Sequence, residues 1–85
     1  VNPIVQNGAV PVFVDVDLKT LNAVPDAIKA ARTSKTKAVV IAHTLGNPYR
    51  ADLIGEWCKQ EGLVLVEDCC DALGATITGK GPVGT

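Results

Sequence analysis

Eighty-five residues, 47% hydrophobic and 20% charged, describe an ordinary soluble globular chain with a core at the small end of the domain range. The net charge of −1, without a run of either sign, leaves no electrostatic footprint for nucleic acid or an anionic membrane, and no apolar stretch is long enough to span a bilayer. Three cysteines, two of them adjacent at Cys69 and Cys70, make no secreted-type disulfide framework, which favours a reducing, cytoplasmic setting.

The residues before Pro11, Asn2-Pro-Ile-Val-Gln-Asn-Gly8, read as the last turns of a helix closed by glycine. Val12 to Val16 is β-branched and aromatic, with Pro11 suited to a first strand position. Val24, Ala27, Ile28 and Ala31 then fall at i, i+3, i+4, i+7, predicting a helix over 25–32 with Pro25 near its start. A second strand is expected at Val39 to Ala42. Leu53, Ile54, Trp57 and Cys58 mark one face of a helix over 51–61, and Gly62 can supply its left-handed stop. The third strand is expected at Leu63 to Val66, extending to 67. Gly74-Ala-Thr-Ile-Thr-Gly-Lys-Gly-Pro82 suits a short strand and tight turn. The predicted fold is α/β, with a βαβαβ order and a parallel sheet whose near-continuous apolar strands are buried on both faces. The chain opens on helix-like residues and stops in a glycine-rich stretch, so residues 1–85 are expected to be one piece of a larger domain, cut at both ends.

Ligands of open parallel sheets gather beyond the carboxyl ends of the strands. Those ends here are Asp15-Val-Asp17, His43-Thr44 and Glu67-Asp68. Strand ends also meet water, so polarity alone leaves the functional and solvent readings open. Asp68 is the sharpest candidate. A carboxylate after Val64-Leu-Val66 is placed to hold a cationic ring nitrogen, as pyridoxal-phosphate enzymes require; its structural alternative is a cap for the segment beginning at Cys69. His43, a lone histidine, reads first as structural, and Cys58 as core. Cys69 and Cys70 lack a CxxC partner for a metal site. Lys80 lacks the spacing of a phosphate loop and reads as a solvated turn residue.

Val66-Glu-Asp-Cys-Cys-Asp-Ala-Leu-Gly-Ala75 resembles the pyridine-binding motif of the fold-type I sugar aminotransferase and dehydratase family. Ala9-Val-Pro-Val-Phe-Val-Asp-Val-Asp17 resembles the strand that this family carries upstream, and Ala42-His-Thr-Leu-Gly-Asn-Pro48 its intervening loop. The resemblance covers nearly the whole chain and is nearest to the CDP-6-deoxy-hexulose 3-dehydrase branch of lipopolysaccharide and O-antigen sugar biosynthesis. It implies a piece of the three-layer, parallel-sheet large domain, with pyridoxal or pyridoxamine phosphate as cofactor. It further implies C3 dehydration of a CDP-6-deoxy-4-hexulose as the reaction, a homodimer as the assembly, and a reductase as partner. Carried over by position, Asp68 would bind the pyridine nitrogen, Asp71 would lie beside the phenolic oxygen, and Cys70 would match a ligand of the [2Fe-2S] cluster found in some members. Aminotransferases of the family usually have glutamine where this chain has Asp71. The phosphate-binding turn and the stacking aromatic are expected before Val1. The lysine position, occupied by histidine in the dehydrases, is expected beyond Thr85 with further cysteines.

A nucleotide-sugar aminotransferase is the near alternative. A different class is offered by Val12-Phe-Val-Asp-Val-Asp17, which superficially resembles the strand of haloacid-dehalogenase-type phosphatases. Asp15 would there be nucleophile, Asp17 acid/base and Mg²⁺ the cofactor, but Leu18 stands where those enzymes normally need glycine. A non-catalytic α/β binding module is the remaining alternative.

Overall fold

A computed structural model describes all residues from Val1 to Thr85. Helix α1 spans Asn2–Gln6, α2 Pro25–Ala31 and α3 Ala51–Glu61; strand β1 spans Ala38–Ala42, β2 Val64–Asp68, β3 Thr76–Ile77 and β4 Gly81–Pro82. No helix is long and apolar enough to cross a membrane.

The centre is a βαβ unit. β1 and β2 pair in parallel, with Ala38 opposite Val64 and Ala42 opposite Asp68, and α3 connects them. The Ile41, Tyr49, Ile54 and Cys58 side chains, with Ile28 from α2, form the buried cluster, and Val39, Trp57, Leu63 and Leu65 pack around it. Period-two alternation explains which strand residues take part. Val39 and Ile41 of β1 and Leu65 of β2 face the helices, whereas Val40, Val64 and Val66 lie exposed on the other face.

The helix stops obey backbone chemistry. At the end of α3, Gly62 adopts φ 68°, Leu63 N–H donates to the Cys58 carbonyl at 2.8 Å, and Gly62 N–H donates to Lys59 at 3.3 Å. This is the Schellman arrangement, which absorbs two carbonyls that the last turn leaves free. Gly8 repeats it after α1, at φ 74°, with Ala9 N–H donating to Ile4 and Gly8 N–H to Val5. The glycine-rich stretch makes the expected short hairpin, β3 pairing antiparallel with β4 and Lys80 exposed in its turn.

One expected element is absent. Residues 12–16 form no strand; the segment makes only an isolated antiparallel bridge between Val16 and Ala23. Its residues are apolar and β-branched, but no strand lies beside it to complete a ladder. Val12 and Phe13 stand 70% and 75% exposed, and only Val14 reaches the core cluster. The expected βαβαβ order is therefore a βαβ unit preceded by an unpaired segment.

Candidate functional site

The carboxyl ends of β1 and β2 lie side by side, and the ladder continues one step further as His43 N–H donates to the Asp68 carbonyl at 3.0 Å. Beyond this step the strand pleat divides the side chains between two faces.

On the exposed face stands Asp68. Its Oδ1 accepts the Cys70 N–H at 3.0 Å, closing a tight turn through Cys69. Hydrogen bonds from the Cys70 side chain and backbone hold the Asp68 carboxyl below the usual carboxylate range, and the same contact with Asp68 raises the Cys70 thiol. An exposed carboxylate kept ionised at a strand tip has the chemistry needed to hold the proton of a pyridine nitrogen. The residues present therefore fit the cofactor that the resemblance implies. The capping alternative for Asp68 is realised as well, since its Oδ1 organises the following turn.

Asp71 is exposed in the same turn. Its backbone is clasped by the loop after β1: a Cβ built on Gly46 would meet the Asp71 carbonyl oxygen at 3.0 Å, and Gly46 has φ 79°. Leu45 before it also occupies left-handed space, at φ 53°, so two consecutive residues carry the backbone across the site edge. Cys70 is exposed beside Asp68 and Asp71. Cys58 is core, 1% exposed, and Cys69 belongs to the opposite face.

That opposite face holds an arrangement larger than the sequence suggested. His43 is 1% exposed, its Nε2 is 2.8 Å from Glu67 Oε2, and its ring stacks on Tyr49 with centroids 4.3 Å apart. Gly84 N–H also donates to Glu67 Oε2, at 3.3 Å. Burial first, then the nearby Glu67 charge, pushes the Tyr49 phenol far above its ordinary range. His43 is thus buried on the α3 face, held against Glu67 and Tyr49. Register and alternation could have found the pair, because His43 and Glu67 lie two residues beyond the inward-facing Ile41 and Leu65.

Asn22 escaped sequence reasoning and carries no local signal. It is 4% exposed; its Nδ2 donates to the Asn47 carbonyl at 2.9 Å and its Oδ1 accepts Thr44 N–H at 3.2 Å. Asn47 returns the bond through Nδ2 to the Thr20 carbonyl at 3.0 Å. The pair fastens the loop after β1 to the segment that precedes α2.

The aspartates of the phosphatase-like alternative have other work. Asp17 Oδ1 accepts the N–H groups of Lys19 and Thr20 at 2.8 and 3.1 Å, an Asx-type turn, while Asp15 Oδ1 accepts Val16 N–H at 2.8 Å. Both close a loop, as turn residues do.

Known proteins resemble this chain in sequence and in backbone fold. The chain is 61% identical over 80 residues to the dTDP-4-dehydro-2,6-dideoxy-D-glucose 3-dehydratase of Saccharopolyspora spinosa, covering 94% of this chain and 17% of that protein. It is 49% identical to the lipopolysaccharide biosynthesis protein RfbH of Salmonella typhimurium, covering 100% of this chain and 21% of the other. Among solved structures, an aminotransferase from Psychrobacter cryohalolentis superposes with a TM-score of 0.90 at 42% identity, over 99% of this chain and 21% of that one. The E. coli GDP-4-keto-6-deoxy-D-mannose-3-dehydratase, solved with bound hydrated PLP, gives 0.81 at 38% identity, over 92% and 20%. The chain thus spans about a fifth of the length of the proteins it resembles. A family model matches residues 1–85 from end to end, and the chain belongs to the DegT/DnrJ/EryC1/StrS aminotransferase family.

Proposed function

We propose that these residues form part of the cofactor-binding domain of a pyridoxal- or pyridoxamine-phosphate enzyme. Its reaction is removal of the 3-hydroxyl from a nucleotide-linked 6-deoxy-4-hexulose, with CDP as the preferred nucleotide. The observation that carries the reading is the strand-end turn, where the ionised Asp68 stands with Asp71 rather than glutamine three residues on.

When bound, the cofactor supplies an electron-withdrawing ring that draws density from the substrate carbon. Asp68 holds the proton on its pyridine nitrogen. Asp71, whose backbone packs closely against Gly46, would stand on the cofactor's side and could hold a proton that glutamine could not. The residue in the lysine position belongs to another part of the enzyme, and dehydration calls for histidine there. Cys70 offers one thiolate to a [2Fe-2S] cluster fed by a reductase, with the remaining cysteines supplied from outside residues 1–85. The enzyme works as a homodimer.

Support for dehydration over transamination comes from the 61% identity to a 3-dehydratase; the family's own description and the aminotransferase superposition keep transamination as the second reading. The deciding experiment incubates the full-length enzyme, loaded with pyridoxamine phosphate, with CDP-6-deoxy-4-hexulose, and follows the sugar by mass spectrometry. Loss of water from C3 is expected. A stable amino sugar formed with glutamate as donor would make the enzyme an aminotransferase. Turnover with the dTDP- or GDP-linked sugar instead would reassign the nucleotide.

A further inference from the structure

The pleat that sends Asp68 to one face gathers three metal-ligating side chains on the other. His43, Glu67 and Cys69 each place one ligand atom within 4.8 Å of the other two. We propose that this cluster is a binding site for a zinc-class divalent cation, separate from the cofactor face and distinct from any cluster that Cys70 joins.

Several observations converge on the site. The donor set is one imidazole nitrogen, one carboxylate oxygen and one sulfur, the mixture that suits a borderline ion such as Zn²⁺ rather than a hard ion such as Mg²⁺ or Ca²⁺. The histidine is fully enclosed, with its side chain 0% exposed against 24% for Glu67. His43 Nδ1 and the Tyr49 hydroxyl, on the ring stacked against it, are both buried without a hydrogen-bond partner. Buried polar atoms are usually satisfied, and two orphans beside a ligand cluster mark a polar site whose complement is incomplete. The segment that closes the chain covers the cluster. Gly84 donates to Glu67 Oε2, and a Cβ on Gly84 would lie 3.1 Å from Cys69 Sγ, so its backbone packs close to the thiol. An open groove of about 490 Å³ between α3 and the hairpin runs past Glu67 and Gly84 and gives an ion an approach from solvent.

Binding replaces the 2.8 Å contact between His43 and Glu67 with two bonds to the ion. Cys69 releases its thiol proton to solvent, and so does the imidazole nitrogen if protonated, which makes affinity rise with pH. Three protein ligands leave a fourth position for water. Because His43 follows β1 and Cys69 follows β2, the ion would tie the two strand ends together directly behind the Asp68 turn.

The test uses Co²⁺ as the probe, added to full-length enzyme freed of metal by chelation. The comparison is made in a Cys70→Ser background, which removes a ligand of the proposed iron–sulfur cluster. Thiolate-to-cobalt charge-transfer absorption is expected there, and the Cys69→Ser, Cys70→Ser double variant is expected to bind one Co²⁺ fewer per chain and to lose the corresponding absorption. Cys69 is partly exposed, so its serine variant can be checked for an unchanged circular dichroism spectrum. A second readout is the proton release on Zn²⁺ addition, which should be lower in Cys69→Ser. No absorption in Cys70→Ser, or an unchanged cobalt stoichiometry and absorption when Cys69→Ser is added to it, would each overturn the assignment. The cofactor proposal is read separately by the spectrum of the bound pyridoxal group, and neither result decides the other.

Discussion

Asp68 accepts the Cys70 N–H with one carboxylate oxygen, and in the proposed function the same carboxylate holds the proton of the cofactor ring. Asp68→Asn keeps the size of the group and removes the charge. Loss of that charge should slow turnover on the order of 100-fold. Steady-state kinetics on the full-length variant checks this; near-normal turnover would show that another carboxylate holds the ring nitrogen. The Asp68 carboxyl sits below the ordinary range, chiefly through the Cys70 side chain. Its folded-state pKa is depressed, so its contribution to cofactor retention is present at neutral pH and is lost only as pH falls through that lowered value. Cofactor release measured against pH should accordingly begin below the ordinary aspartate range. Gly46 is the backbone counterpart of Asp68. A Cβ there would both strain a φ of 79° and press on the Asp71 carbonyl oxygen at 3.0 Å, so Gly46→Ala should cost about 2 kcal/mol and weaken cofactor binding. A variant with wild-type melting and affinity would show that the Asp71 turn is not held by this contact.

At the scale of elements, the helices and the two paired strands were legible because their signals are local. Pro25 and Gly62 bracket α2 and α3, and the apolar positions 54 and 58 of α3 are the two that become buried. Ile54 is 1% exposed at the centre of the cluster, so Ile54→Ala should destabilise the fold by about 3 kcal/mol, readable as a shift in urea midpoint at unchanged slope. Residues 12–16 were misread for an equally plain reason. β-Propensity reports how well side chains suit a pleated surface, whereas a strand also needs a neighbour to bond with, and no neighbour can be seen in a five-residue window. The Asn22–Asn47 tie and the His43–Glu67 pair were hidden by the same rule, since each joins residues more than twenty positions apart. Asp68, Cys70 and Asp71, by contrast, stand within four consecutive residues, and their nearness could be read directly.

At the scale of the whole molecule, an apolar outer face remains. Val40, Val64 and Val66 of the sheet stand 53%, 61% and 46% exposed, and Val12, Phe13 and Leu73 are more exposed still. A face of that kind, beside strands with unpaired edges, recruits other chains. The isolated 85-residue chain should therefore self-associate, and sedimentation should show mass rising with concentration; a monomer at high concentration would contradict this.

The division of β2 into two faces also sets what kind of genetic change the segment can survive. From Leu65 to Cys70 the odd positions face the α3 side and the even positions face the exposed side, where the proposed function puts the cofactor. A point substitution alters one tenant of one side. Deletion of the Val66 codon would instead exchange the tenants, turning the aspartate toward the buried histidine and the glutamate toward the opposite face, because one residue of slip reverses the side chains that follow it in a strand. Length in this stretch is consequently under tighter constraint than identity. Substitutions such as alanine for Cys69 should leave a foldable enzyme, while loss of one residue should abolish cofactor binding even though every functional side chain is still encoded.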